Sequence, residues 1–317
     1  MHTPLRSLAA CAAALCLTLS LSACGRGETS SDDDSGEKTY NVTLALSTLN
    51  NPFFVDVRDG AQDEADAQGV TLDVIDAQND ATTQSNGIQT AVVAQADGII
   101  INPVDSDAAA AAIQPALDAS LPVVAVDRAV NGATVDSYIA SDNVAGGSQA
   151  ADALAAAIGE TGSIIVLEGQ AGASANRDRI EGFTEGIAAY PNITVVAQQT
   201  ANFDRTEGLD VTTNLLQAHP DVVGIFAAND EMALGAIQAL GARAGAEVKV
   251  VGFDGSEDGL AAVEAGTLTA TIAQQPKELG ATSVRVMVQI LKGETVEATQ
   301  SVAVETVTSE NVADFLS

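Results

Sequence analysis

From residue 40 onward, short apolar runs alternate with longer segments whose composition favours helices. Ten apolar runs predict strands at 42–47, 71–76, 98–102, 123–127, 138–141, 163–168, 194–199, 222–227, 249–253 and 269–273. Most of these runs are continuously apolar, as expected for parallel strands that are covered on both faces. Alanine-rich segments between them, such as 108–119, 149–158 and 231–240, predict helices. Strands and helices that alternate over this length predict an α/β fold.

The pattern divides the chain into two similar halves. A chain of 317 residues exceeds the roughly 250–300 residues that one hydrophobic core usually supports, so two lobes are expected. Asn102 and Asp127 end neighbouring predicted strands and lie 25 residues apart, and so do Asn229 and Asp254. A repeated lobe would produce this spacing, and a chance alignment of strand–helix–strand units is the alternative.

The first strand-to-helix turn, residues 48–54, carries distinctive chemistry. It holds Asn51, Phe53 and Phe54 around Pro52, and proline suits the first turn of a helix. In open parallel sheets, ligands bind beyond the carboxyl ends of the strands. Amide groups beside aromatic faces suit a ligand with hydroxyls around a C–H surface, such as a sugar.

Polar side chains follow most of the other predicted strands as well. They are Asp127 with Arg128, Asn229, Asp254 and Gln274, and Arg177 lies in the segment after Gly169. Carboxylates accept hydrogen bonds from hydroxyls, and planar guanidinium groups donate to two atoms at once. Taken singly, each residue also suits a helix cap or a turn. Their recurrence in both halves favours one shared site, and Phe203 lies beyond a strand end as Phe53 and Phe54 do.

Charge and composition narrow the function classes. The formal net charge is −30, whereas a surface for nucleic-acid phosphates needs clustered Lys and Arg, so nucleic-acid binding is excluded. We interpret the acidity as solvated helix faces. The only histidines are His2 and His219, and no metal-ligand spacing, phosphate-binding loop or nucleophile–base pair is present. We therefore expect no cofactor, no metal and no enzymatic activity.

The N-terminal residues predict export and membrane anchoring. A basic start, the apolar run 8–21 and small residues after it are typical of a signal peptide. Leu21-Ser22-Ala23-Cys24 resembles a bacterial lipobox, in which cleavage before the cysteine leaves it N-terminal and lipidated. We predict a signal peptide at 1–23, lipidation of Cys24 and a flexible polar tether at 24–39. An ordinary signal peptide with a chance cysteine is the alternative.

Several stretches together resemble the bacterial ribose-binding proteins, which are periplasmic sugar-binding proteins of ABC transporters. The resemblance runs from about residue 40 to about 300, and its motifs are Ser47-Thr48-Leu49-Asn50-Asn51-Pro52-Phe53-Phe54, Ile101-Asn102-Pro103, Asp127-Arg128, Ile139-Ala140-Ser141-Asp142-Asn143, Phe203-Asp204-Arg205, Ala218-His219-Pro220-Asp221-Val222, Asn229-Asp230-Glu231-Met232-Ala233-Leu234-Gly235, Val251-Gly252-Phe253-Asp254-Gly255 and Ala270-Thr271-Ile272-Ala273-Gln274. It implies two Rossmann-like lobes with parallel sheets, joined by three hinge strands and closing on a sugar. By resemblance, the sugar hydroxyls are held by Asn51, Asp127, Arg128, Arg177, Asn229, Asp254 and Gln274, and the ring lies between Phe53, Phe54 and Phe203.

The same resemblance implies the domain organisation and the partners. The chain would cross between lobes near Ser141, Gln274 and Ala303. The N-terminal lobe would comprise 40–141 and 275–303, and the C-terminal lobe 142–274 and 304–317. The loaded protein, a monomer held to the outer face of the cell membrane by its lipid, would deliver D-ribose to an ABC permease.

Three other functions remain open from the sequence. The same fold could bind another sugar, such as allose, galactose or a furanose signal of the autoinducer-2 kind. A sugar-acting enzyme could use Asp127 and Asp254 as an acid–base pair. Transcription regulators of the ribose and lactose operon type share the two-lobe fold, but they begin with a basic helix-turn-helix where this chain has a predicted signal peptide.

Overall fold

The computed structural model of the chain describes residues 39–316. The predicted signal peptide, Cys24 and all but the last residue of the predicted tether lie outside this range. None of the helices within it combines the length and the hydrophobicity that crossing a bilayer requires.

Strands and helices alternate along the described residues. The strands are β1 (Asn41–Leu46), β2 (Thr71–Asp76), β3 (Gly98–Ile101), β4 (Val123–Val126), β5 (Ser137–Ser141), β6 (Gly162–Glu168), β7 (Ile193–Thr200), β8 (Gly224–Ala227), β9 (Lys249–Asp254), β10 (Ala270–Ala273), β11 (Thr299–Val302) and β12 (Glu305–Thr308). The α-helices are α1 (Pro52–Gln68), α2 (Ala81–Val93), α3 (Ala109–Asp118), α4 (Asn143–Ala157), α5 (Ser174–Ile187), α6 (Arg205–Ala218), α7 (Asp230–Leu240), α8 (Glu257–Glu264) and α9 (Pro276–Leu291).

The strands form two six-stranded sheets. The first sheet has the order β11-β5-β4-β3-β1-β2, and the second has the order β12-β10-β9-β8-β6-β7. Neighbouring strands are parallel except for β10 and β12, which pair antiparallel. We call the first sheet with α1, α2, α3 and α9 the first lobe, and the second sheet with α4 to α8 the second lobe. The predicted α/β class is confirmed, with two sheets that are mainly parallel.

Helices cover both faces of each sheet, which explains the continuous apolar runs. In β1, Leu44 and Leu46 join a core with α1 and α9. Ala45, between them, joins a separate core with α2 and α3 on the opposite face. Because successive strand residues point to opposite faces, a strand that is buried on both sides must be apolar throughout.

The chain passes between the two sheets three times. It does so between β5 and α4, between β10 and α9, and between β11 and β12. Helix α9 returns to the first lobe and packs against α1, whereas α4 packs against α5 in the second lobe. The residue numbers at which each lobe ends stay a prediction.

The last two strands differ from the sequence expectation. Neither β11 nor β12 was among the ten predicted strands. Each has four residues, contains threonine and alternates between exposed and more buried positions. Their side chains therefore carry little of the continuous apolar signal that marked the others, and pairing with β5 and β10 supplies their stability.

Candidate ligand-binding site

A small cavity lies between the two lobes, beyond the carboxyl ends of the strands. It is lined by Asn51, Phe53, Phe54, Asp127, Arg128, Ala175, Arg179, Phe203, Asn229 and Asp254. Eight of the ten residues that the sequence predicted for the site are brought together here.

Two asparagines cap the N-termini of α1 and α7, the helices that point at the cavity. Asn51 caps α1 by accepting a hydrogen bond from the Phe53 N–H at 2.9 Å, and Asn229 caps α7 by accepting one from the Met232 N–H at 2.9 Å. The sequence left a cap role and a ligand role open for each residue. The structure combines them, because the amide oxygen is used by the helix while the residue still lines the cavity.

Aromatic rings from both lobes form the apolar part of the wall. Phe53 and Phe54 meet edge to face, with ring centroids 5.2 Å apart, and Phe203 comes from the second lobe. The ring of Phe203 lies against Gly169, where an added Cβ would stand 2.1 Å from Cζ of that ring. Only glycine at position 169 therefore leaves room for the Phe203 ring.

In the first lobe, Asp127 and Arg128 are almost completely buried. The Asp127 carboxylate accepts a hydrogen bond from Asn102 Nδ2 at 3.0 Å. The Arg128 guanidinium donates to Pro103 O at 3.1 Å and, across the cleft, to Gln170 Oε1 at 3.1 Å. Its Nε is buried and has no hydrogen-bond partner. The pair therefore presents to the cavity both a hydrogen-bond acceptor and a guanidinium group that is fixed by its own hydrogen bonds.

In the second lobe, Arg179 and Asp254 form the equivalent pair. Arg179 Nη1 donates to Ala228 O at 2.7 Å and lies 3.3 Å from Asp254 Oδ1. Arg179 Nε donates to Asn143 Oδ1 at 2.8 Å, and its guanidinium lies 3.9 Å from the centroid of the Phe253 ring. Such a contact is a cation–π interaction. The arginine is therefore fixed on several sides by the protein itself.

The placement expected for Arg177 needs correction. Its side chain is 39% exposed, donates to Ala171 O at 3.1 Å and lies 3.5 Å from Asp107 Oδ2, outside the cavity. Arg177 and Arg179 share α5, where positions two apart point to nearly opposite sides because each residue turns the helix by about 100°. The arginine of α5 that lines the cavity is Arg179.

A helical signal in the sequence could have found Arg179. Ala175, Arg179, Phe183 and Ile187 recur every four residues and are all buried in α5. This spacing marks the inward face of a helix, and Arg179 is the arginine that falls on it.

Gln274 lies behind the cavity wall. Its Nε2 donates to Asp254 Oδ1 at 2.7 Å, and its Oε1 is buried without a hydrogen-bond partner. Gln274 is not among the residues that line the cavity. In this structure it therefore holds Asp254 in place.

Three of the cavity residues have unusual backbone conformations. Asp127, Phe203 and Asp254 have φ angles of 64°, 61° and 123°. Residues with side chains adopt positive φ at a cost of about 1–3 kcal/mol, and such conformations gather at binding sites. The strain at these strand ends is thus concentrated where three side chains turn toward the cleft.

The family model described as "Periplasmic binding protein domain" matches residues 42–295. The chain belongs to the periplasmic binding protein family. The ribose import binding protein RbsB of Salmonella typhimurium is 50% identical over 257 residues, which cover 81% of this chain and 86% of that protein. RbsB of Bacillus subtilis is 41% identical over 85% of this chain and 87% of its own length.

Solved structures agree with this assignment. The ABC transporter solute-binding protein of Bacillus halodurans, solved with bound myo-inositol, superposes with a TM-score of 0.83 at 33% identity. The match covers 88% of this chain and 97% of the other. The resemblance seen in the sequence is therefore confirmed, as is the expectation of a binding protein rather than an enzyme.

The electrostatics of the site centre on the two buried carboxyls that line the cavity, Asp127 and Asp254. Burial raises the pKa of Asp127, and the charges of Arg128 and Arg179 counteract the rise only in part. Burial also raises the pKa of Asp254, where Arg179 opposes the shift and the buried carboxyl of Asp230 adds to it. A hydroxyl that donates to either carboxylate would favour its ionised form. Binding of such a ligand would therefore be accompanied by proton release.

The described residues hold no cluster of three or more His, Cys, Asp or Glu side chains that could bind a metal ion. The cavity offers carboxylates, guanidinium groups, amides and rings. These groups recognise a neutral polyhydroxylated ring through hydrogen bonds and packing.

Proposed function

We propose that this periplasmic binding protein captures a monosaccharide outside the cytoplasm, D-ribose in the first instance, and delivers it to an ABC permease. One observation carries the proposal. Both lobes contribute a buried carboxyl–arginine pair, an asparagine and aromatic faces to a single cavity.

The chemistry of the wall matches a small sugar. Asp127 and Asp254 accept hydrogen bonds from hydroxyls, while Arg128 and Arg179 donate to hydroxyl or ring oxygens. The C–H faces of the sugar pack against Phe54 and Phe203. A ligand that lacks one hydroxyl would leave a buried group unpaired, at a cost of about 1–3 kcal/mol. The site therefore discriminates between sugars by their hydroxyl pattern.

The similarity to known binding proteins supports ribose as the first candidate. The Salmonella typhimurium ribose import binding protein shares 50% of its aligned residues with this chain, whereas the Bacillus halodurans protein with bound myo-inositol shares 33%. A second candidate is another polyol or sugar of similar size, because proteins of this fold hold such ligands too.

Capture proceeds by closure of the two lobes. Each lobe carries about half of the wall, so the full set of contacts exists only when the lobes approach each other. The three connections between the sheets allow this motion, and domain closure of this kind takes microseconds to milliseconds. The closed form is the one that the permease receives.

The predicted lipobox extends the proposal to location. Lipidation of Cys24 would hold the protein, as a monomer, at the outer face of the cell membrane. The tether up to residue 39 would give the lobes reach. Labelling with a radioactive fatty acid tests this point: the wild-type chain is expected to incorporate label, and Cys24→Ala is expected to lose it. Equal labelling of the two would contradict the anchor.

A thermal-shift screen followed by calorimetric titration tests the ligand. D-ribose, D-allose, D-galactose and myo-inositol are compared at equal concentration. Ribose is expected to raise the melting temperature most, by mass action, and to bind with a Kd of about 1 μM or tighter, which is about −8 kcal/mol. No shift with ribose and a large shift with another sugar would transfer the assignment to that sugar.

A further inference from the structure

The two lobes also touch directly at one side of the cleft, through two serines. Ser106 follows β3 in the first lobe, and Ser174 begins α5 in the second. The Ser106 N–H donates to Gly172 O at 2.9 Å, and the Ser174 N–H donates to Ser106 Oγ at 3.1 Å. The Ala129 N–H donates to Ser174 Oγ at 2.8 Å. Three hydrogen bonds thus cross between the lobes within one small area.

These bonds are separate from the cavity. Neither serine lines it, yet both are buried, with 0% and 6% of their surface exposed. A ligand enclosed in the cavity would touch neither hydroxyl. The bonds therefore depend on the closeness of the two lobes and not on the identity of the ligand.

One of the three bonds completes the N-terminus of α5. The residue at its N-cap position, Ala173, has no side chain that could accept a hydrogen bond from the helix. Helix N-termini carry unsatisfied N–H groups that a serine oxygen commonly accepts. Here that oxygen is Ser106 Oγ of the opposite lobe. Opening of the cleft would return the Ser174 N–H to water, on the same helix that carries Arg179 to the cavity.

We propose that Ser106 and Ser174 form a clasp that sets the affinity for the ligand, and the lifetime of the complex, without touching it. The proposal rests on the proposed function, since closure on a ligand is what turns these contacts into affinity. The apparent Kd of a ligand that needs the closed form is its intrinsic Kd divided by the closed fraction. Loss of one clasp bond therefore weakens every ligand by the same factor.

This uniform factor distinguishes the clasp from a residue of the cavity wall. A wall residue contacts particular hydroxyls, so its replacement changes the ratio of affinities for two sugars. A clasp residue leaves that ratio unchanged. Because lost contacts in a formed complex act mainly on dissociation, the effect should appear in koff.

The test uses the full chain with Ser106→Ala and Ser174→Ala, each of which removes one hydroxyl and one clasp bond. Each variant is expected to bind D-ribose about five- to tenfold more weakly, as for loss of a helix cap. The ratio of its affinities for D-ribose and D-allose should match that of the wild type. Ser309→Ala, which changes an exposed serine in the turn after β12, is the matched control and should bind as the wild type does.

Wild-type affinity in both clasp variants would overturn the proposal, and so would an altered ribose-to-allose ratio. If the wild type bound no sugar, the proposed function would be refuted. The clasp would then be tested by hydrogen exchange measured without ligand. Faster exchange at residues 170–177 in Ser106→Ala than in the wild type would then support the clasp, and equal exchange would overturn it.

Discussion

The two arginines of α5 allow a sharp test of the site, because they lie two residues apart and face different surroundings. Arg179 lines the cavity and is 3% exposed, whereas the side chain of Arg177 is 39% exposed. Arg179→Ala and Arg177→Ala remove the same side chain from the same helix. We expect the first change to abolish high-affinity ribose binding and the second to leave it nearly intact.

The magnitude for Arg179 follows from its contacts. Its guanidinium lies 3.3 Å from Asp254 Oδ1 and donates to Ala228 O at 2.7 Å. Removal of one partner of a buried ion pair costs about 3–5 kcal/mol, and a part of this cost falls on the unliganded protein. Hydrogen bonds to charged groups contribute about 1.5–3 kcal/mol each. Loss of two such bonds to a sugar would weaken binding by about 3 kcal/mol or more, which is roughly a hundredfold.

Calorimetric titration with D-ribose measures both variants, and thermal melting without sugar reports their folding. Arg177→Ala should keep its affinity within about twofold, because exposed ion pairs contribute little. If Arg179→Ala bound ribose as the wild type does while Arg177→Ala lost tenfold or more, the orientation of α5 and the cavity built on it would be refuted.

Three further outcomes are expected. Gly169→Ala places a Cβ 2.1 Å from the Phe203 ring, so the ring must move and ribose affinity should fall about tenfold in calorimetry; unchanged affinity would contradict the packing. Asp230→Ala removes the acceptor of hydrogen bonds from Thr271 and Ser256, and urea denaturation should show a loss of about 3 kcal/mol; a loss below about 1 kcal/mol would speak against this network. Burial raises the pKa of Asp127 and Asp254, so the folded protein binds more protons than the unfolded one. The unliganded protein should therefore lose stability as the pH rises from the ordinary carboxyl pKa through the raised pKa values. Sugar hydroxyls favour the ionised carboxylates, so ribose affinity should fall as the pH is lowered below about 8, the pKa of Asp254, with proton release on binding. Titrations in two buffers of different ionisation heat that detect no release at any pH would exclude the linkage.

The sequence by itself determined the architecture. Strands β1 to β10 are apolar enough that local pattern predicts each of them to within two residues at either end. For the inner strands this success has a physical reason, since a parallel strand covered on both faces must be apolar along its length. The edge strands β2 and β7 are more exposed and were recognised from their β-branched and leucine residues. The sequence did not predict strands β11 and β12 because polar and apolar residues are mixed along their four positions.

The sequence also determined which residue types gather at the strand ends. It identified Asn51, Asp127 and Asp254 because polar groups after buried strands meet at one edge of a parallel sheet. The rule carries no information about the helices that approach the same edge from the side. Arg179 was therefore missed and Arg177 chosen in its place.

Only the tertiary structure decided which atoms face the cavity. The turn of α5 against α4 directs Arg179 inward, and the position of Asp254 places Gln274 behind the wall rather than in it. The approach of the two lobes decided that Ser106 caps a helix of the other lobe. The periodicity of apolar residues indicates which positions are buried. Which partner buries each side chain depends on contacts between residues far apart in the chain. Those contacts exist only after the lobes have formed and met.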